Sequence, residues 1–242
     1  METKGFCIAL LETLLFVCIA QGGNKVGVYV INADRGAIVN LHHAKEDIET
    51  IIPHFDFQAE IIKHAESFLP GTRKNIELGF TEWIGDSKRN LFIIIGGPGL
   101  GKTVIMTHLA ILFKKHVLAS HLCRYDILER RQPRRIILSL AYQLAMNFPP
   151  YRQKIEKNLS HYNDVTTRTA SEIWDQLLVA PLSTLSPPKG VPKIILLIDA
   201  LDESAYQDDR QGILHILRNK VRDLPSWVGV AVSSRPETGI ID

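Results

Sequence analysis

The sequence is short of cysteine, of excess charge of either sign, and of long apolar runs. Cys7, Cys18 and Cys123 are the only cysteines in 242 residues, and no two form a CxxC pair. An odd, scattered set of this kind excludes a disulfide framework and a zinc site, and it suits a reducing compartment. Lys and Arg total 28 against 26 Asp and Glu, a formal net charge of +2. No strong field is therefore available to gather nucleic acid or an anionic membrane surface, and neither is expected as a partner. The N-terminal apolar stretch, Phe6 to Ala20, is too short to span a bilayer and carries Glu12 near its middle, where a carboxylate is costly in lipid. Lys4 before it and Cys18-Ile19-Ala20 at its end give residues 5–20 the outline of a secretory signal or anchor. The competing expectation is a buried amphipathic helix in a cytoplasmic protein. Hydrophobic residues make up 45% of the chain, enough to bury the core of one α/β domain with an appendage.

What is present is concentrated in one stretch. Leu91-Phe92-Ile93-Ile94-Ile95 breaks into Gly96-Gly97-Pro98-Gly99-Leu100-Gly101-Lys102-Thr103. The apolar run predicts a parallel strand buried on both faces, and the glycines end it at a tight turn. Val104, Ile105, Leu109 and Leu112 then recur at helical spacing, so the loop's amides stand at a helix N-terminus, where backbone N–H groups favour an anion. This is the P-loop pattern. Glycines admit phosphate oxygens close to the backbone, Lys102 can reach the β and γ phosphates, and the Thr103 hydroxyl can ligate Mg²⁺.

A second cluster follows nearly a hundred residues later. Lys193 to Ile198 predicts a buried strand that ends in Asp199-Ala200-Leu201-Asp202-Glu203. Carboxylates just beyond the C-terminal end of a parallel strand fall in the crevice where such loops open. Asp199 is then the candidate Mg²⁺ ligand, and Glu203 or Asp202 the group that polarises water. Trp227 to Val232 predicts another strand, ending Ser233-Ser234-Arg235-Pro236-Glu237. Arg235 is positioned to stabilise charge on a γ-phosphate, or alternatively to pair with Glu237 at the surface.

The remaining segments predict supporting structure. Val26 to Ile31 reads as a short strand, and Asn32 to Gly36 as a turn. His42 and His43 have no acidic or cysteine partners at ligand spacing, so they read as a solvated pair. Helices are expected between Ile48 and Ile84, broken at Leu69 to Arg73, then from Pro133, from Tyr151 to His161, from Ala170 to Val179 and from Asp209 to Arg222, with a strand at Val117 to Cys123. Four arginines in six residues, Arg130 to Arg135, read as a solvated helix entry because no aromatic is interleaved.

Ile198-Asp199-Ala200-Leu201-Asp202-Glu203 resembles the NACHT variant of the Walker B motif, with Ala200 where many members carry glycine. Val232 to Glu237 resembles the family's sensor 1 strand. Phe68 to Arg73 and Cys123-Arg124-Tyr125-Asp126 through Ser139 to Leu144 are similar to NACHT modules of large multidomain ATPases, nephrocystin-3-like proteins among them. The resemblance covers roughly Phe68 to Glu237 and is most specific at the two Walker motifs. It implies a three-layer α/β P-loop NTPase sandwich of ASCE type with a mostly parallel sheet, in which the sensor strand lies between the two Walker strands. Residues 1–67 would be an N-terminal extension and 68–242 the nucleotide-binding domain, incomplete after the sensor 1 strand. A fifth strand, a helical and winged-helix segment and ligand-sensing repeats would follow Asp242. It further implies a STAND-class signalling switch, closed with ADP and open with ATP and Mg²⁺, with protein partners engaged through those repeats. Self-association through an uncovered P-loop strand is a related expectation. A GTPase is disfavoured, because Asn219-Lys220-Val221-Arg222 lacks the base-reading aspartate. The alternative of another class is a nucleotide-stabilised scaffold that binds ATP or ADP without turnover.

Overall fold

A computed structural model of the chain describes the strands within residues 5–40 and residues 52, 54–157, 168–204 and 212–236. Two compact units divide between Thr50 and Ile51. In the first, β1 (Gly5–Leu10), β2 (Leu15–Gly22), β3 (Lys25–Asn32) and β4 (Ala37–Asn40) form an antiparallel meander in the order β1-β2-β3-β4. The strand expected over Val26 to Ile31 is β3. The apolar stretch read as a helix is instead the β1–β2 pair, in register from Gly5 opposite Ala20 to Leu10 opposite Leu15. The physical reason is composition: Val, Ile, Phe and Cys dominate β2, and β-branched and aromatic residues favour a pleated surface. Glu12, turn residues 33–36, His42 and His43 lie outside the described residues.

The second unit holds a parallel sheet of β5 (Leu91–Ile95), β6 (Val117–Leu122), β7 (Ile194–Asp199) and β8 (Val228–Ser234), in the order β5-β8-β7-β6. The strand carrying Ser233 and Ser234 therefore lies between the strand that enters the glycine loop and the strand that ends in Asp199, as the resemblance implied. Both inner strands are buried along their length. β5 departs from its reading. Ile93 is 40% and Ile95 44% exposed, while Phe92 and Ile94 pack on the core, because β5 pairs only with β8 among the described residues and has one covered face. The other edge is treated differently. Beside β6, the Gln143 side chain accepts from Ser120 N and donates to Ser120 O, and Asn147 donates to Leu118 O, so side chains stand in for a neighbouring strand.

Helices cover both faces. α1 (Gln58–Ala65), α2 (Lys74–Gly85) and α3 (Lys102–Leu112) lie towards one face, where Phe80, Trp83, Met106 and Leu109 meet Ile195, Leu197 and Ala231. Gly229 makes this contact feasible. A Cβ there would stand 2.6 Å from the Trp83 ring, so only glycine lets the indole rest on β8. α4 (Leu128–Arg131), α5 (Pro133–Asn147), α6 (Pro149–Lys157), α7 (Ala170–Trp174), α8 (Ala180–Ser183) and α9 (Ile213–Lys220) complete the unit. The break predicted at Leu69 to Arg73 separates α1 from α2, and α5 begins at Pro133 with proline in its first turn, where the missing N–H costs nothing. The arginines before it are not simply solvated. Arg130 pairs with Glu60 at 2.7 Å and lies 4.9 Å over the Phe57 ring. Among the described residues no helix is long and apolar enough to cross a membrane.

Candidate functional site

The C-terminal ends of β5, β7 and β8 bring the predicted residues to one end of the sheet. After Ile95 the chain turns through Gly96, Gly97, Pro98, Gly99, Leu100 and Gly101 into α3. Gly99 at φ 74° and Gly101 at φ 76° adopt the left-handed conformation that L residues avoid, which is what aims the loop back on itself. Gly96 N donates to Ser234 O at 3.1 Å, fastening the loop's entry to β8. The Lys102 ammonium donates to the carbonyls of Gly96, at 2.7 Å, and Gly97, at 3.0 Å, so it lies within the loop's curl rather than against the acids.

Asp199 is the buried centre. Its carboxylate accepts from Ser233 Oγ at 2.5 Å and from the Thr103 hydroxyl. The two residues that the sequence separated by nearly a hundred positions are therefore in contact, one at the head of α3 and one at the end of β7. Burial raises the Asp199 pKa above the usual carboxylate value, against the hydrogen bonds from Ser233, Thr103 and the Ala200 N–H and the nearby His64, which all lower it. Ser233 also accepts from Ala200 N at 2.9 Å, which holds the turn after β7 against β8. At that turn Ala200 has φ 55°, a left-handed conformation that explains why glycine would be at ease there.

The other two acids meet Arg235. Asp202 Oδ2 is 3.0 Å from Arg235 Nε, and Asp202 Oδ1 accepts from Arg235 N at 3.1 Å. Glu203 Oε1 lies 3.7 Å from Arg235 Nη2, and Oε2 accepts from Tyr125 N at 3.2 Å. The guanidinium is thus a clamp on the two carboxylates, and the surface partner weighed for it, Glu237, lies outside the described residues. Sequence reasoning gave no role to Ser233, Ser234 or Tyr125. Two hydroxyls closing an otherwise apolar strand were the available signal for the serines. Tyr125 acts through its backbone, which no side-chain pattern reveals.

Thr103 and Asp199 offer hard oxygen donors that suit Mg²⁺. No group of three or more His, Cys, Asp or Glu forms a metal cluster among the described residues, so a cation here would take these two with water and phosphate oxygens, as Mg²⁺ commonly does. Burial raises the Asp199 pKa, and a cation bound beside it would favour the charged form of that carboxyl.

A four-stranded parallel sheet flanked by helices, with a glycine loop opening at its C-terminal end, defines a P-loop NTPase-like α/β fold. The chain belongs to the family described as Nephrocystin 3, N-terminal, which matches residues 76–235, well over half its length. No curated protein matches the chain.

Proposed function

We propose that the domain binds ATP or ADP with Mg²⁺ and hydrolyses ATP slowly, acting as a nucleotide-dependent switch for signalling or assembly. The observation that carries this reading is the contact of Thr103 with buried Asp199 beside Lys102 at the head of α3. Bound phosphate would take the Lys102 ammonium from the Gly96 and Gly97 carbonyls and accept from the loop amides. Mg²⁺, when bound, supplies charge neutralisation between the β and γ phosphates. Turnover then requires Glu203, 24% exposed and the more accessible of the two clamped acids, to orient a water, and Arg235 to offset charge at the γ-phosphate.

Lys102→Ala tests the binding. It should abolish ATP affinity in calorimetry, because the phosphate charge would lose its nearest cation in a partly dry site. Unchanged affinity in that variant would sink the assignment. A second reading, a scaffold that binds nucleotide without turnover, is favoured by one feature: Arg235 and Tyr125 N already occupy Asp202 and Glu203. Glu203→Gln separates the two. The switch reading expects ATP binding to persist and turnover to fall by roughly a hundredfold, whereas wild type without turnover above background supports the scaffold.

A further inference from the structure

One tight turn after β6 reaches the acid assigned to water. Beyond the strand the Cys123 N–H donates to Asp199 O at 3.1 Å, which keeps the chain beside the end of β7. The chain then reverses over Arg124-Tyr125-Asp126-Ile127, closed by Ile127 N donating to Arg124 O at 3.2 Å. Neither Tyr125 nor Asp126 has a positive φ, so the turn is of type I rather than type II. The Arg124 guanidinium grips Asp126 across it with hydrogen bonds of 3.0 and 2.7 Å.

Tyr125 faces two ways. The residue is 70% exposed, yet its backbone is fixed on both sides. Its N–H donates to Glu203 Oε2 at 3.2 Å, and its carbonyl accepts from Arg131 Nη1 at 3.3 Å. Arg131 is half-buried at the end of α4, with its Nε out of the reach of water. A donor to the charged form of an acid lowers its basicity and fixes its direction. Glu203 has two such neighbours, Tyr125 N on Oε2 and the Arg235 guanidinium 3.7 Å from Oε1. A γ-phosphate that drew Arg235 towards itself would release Oε1 and leave the Tyr125 N–H as the remaining hold.

We propose that the turn from Arg124 to Ile127 is a latch on hydrolysis: the Tyr125 N–H holds Glu203 in a resting orientation, and Arg131 braces the turn from behind. Both act through Glu203, so Tyr125 and Arg131 are positioning residues. The latch rests on the nucleotide binding and the role of Glu203 proposed above. It makes slow turnover a property of this turn, and it converts the contact that favours a scaffold into a restraint that can be lifted.

The test removes one N–H from the full chain. Proline suits the second position of a type I turn, so Tyr125→Pro deletes the donor and keeps the turn. Tyr125→Ala loses the same ring but keeps the N–H. Beside it, Tyr125→Pro should hydrolyse Mg·ATP roughly three- to tenfold faster, the factor one ordinary hydrogen bond is worth, with ATP affinity within about twofold. In a Glu203→Gln background the ratio of the two should fall to about one, because the latch acts through that carboxylate. Arg131→Met should raise wild-type turnover by roughly two- to fivefold, and it carries the test alone where urea unfolding shows that Tyr125→Pro is not folded. Equal or slower turnover in Tyr125→Pro than in Tyr125→Ala overturns the latch, as does a ratio that survives Glu203→Gln. Should the wild type bind ATP without turnover, hydrolysis gained by either variant supports the latch; none in either overturns it and leaves nucleotide binding standing. Failure of the wild type to bind any nucleotide overturns both.

Discussion

The two ends of the parallel sheet solve the same problem with opposite charge. At the end where the strands begin, buried carbonyls are satisfied by two side-chain donors. Lys193 Nζ donates to the carbonyls of Trp83 at 2.8 Å, Asp86 at 2.5 Å and Arg89 at 2.9 Å, and lies 4.7 Å over the Trp83 ring. Asn90 Nδ2 reaches the carbonyls of Leu224, Pro225 and Val228. All three ammonium protons are used, so this end is closed and serves only to fix α2 against β7. At the end where the strands finish, buried carboxylates are satisfied by hydroxyls and a guanidinium, and the lysine donates to carbonyls that phosphate could replace. The first arrangement uses every donor it has, and the second is the end at which the proposed nucleotide would enter.

That contrast is broken most sharply by one substitution at each end. Lys193→Met preserves the aliphatic stem but leaves the Asp86 and Arg89 carbonyls without this donor, while Trp83 O keeps the Asp86 N–H, and each such loss is costly. A destabilisation of about 3 kcal/mol or more is expected in urea unfolding. Asp199→Asn removes a carboxyl whose ionisation burial already opposes, while its amide can still accept from Ser233. Stability should change by about 1 kcal/mol or less, with nucleotide affinity falling instead. Comparable destabilisation by the two variants would erase the distinction between a structural and a functional end.

A second prediction concerns His121, on β6 near the site end. Its Nε2 donates to Arg130 O at 2.9 Å, the buried Nδ1 has no partner, and burial lowers its pKa from 6.5 to about 4. The native state therefore binds this proton later than the unfolded chain does as pH falls. The contribution to stability is complete above pH 6.5 and is lost as pH falls to about 4. The span corresponds to about 3 kcal/mol. Urea midpoints measured from pH 7 to 4 should fall, and His121→Gln should flatten part of that slope; an identical slope in both proteins would mean that carboxylates carry all of it.

The site was legible where function demands particular residue types in sequence. Gly96 to Thr103 and Asp199 to Glu203 stand out by residue type and spacing, and the sheet brings Thr103 near Asp199 at one of its ends. The strand and helix alternation of the second unit was legible for the same reason, because burial on a regular period leaves a regular pattern. Three features were not. The apolar run Leu91 to Ile95 looks the same whether a strand is central or at an edge, since only the neighbours decide whether Ile93 and Ile95 are covered. Phe6 to Ala20 carries no clear period, so strand and helix competed and the pairing partner decided. Lys193 looked like the polar start of a strand, and its three carbonyl partners lie more than a hundred residues earlier, beyond any local signal.

The smallest effect expected is at Ala200, where the backbone rather than a side chain separates the ends. With φ 55° and ψ 52°, this residue holds a left-handed conformation immediately after the buried strand β7. An L residue there bears a steric cost of roughly 1–2 kcal/mol, because its Cβ crowds the following carbonyl. Glycine removes that cost but gives the unfolded chain more freedom, worth roughly 0.5–1 kcal/mol in the other direction. Ala200→Gly should therefore stabilise the fold by about 0.5 kcal/mol, read as a small rise in the urea midpoint with an unchanged slope. The bond from its N–H to Ser233 Oγ survives the change, so nucleotide affinity should stay the same. A loss of stability would show that the methyl group supports the turn, and a loss of affinity at constant stability would show that the stiffness of alanine, rather than the turn's shape, keeps Asp199 in place.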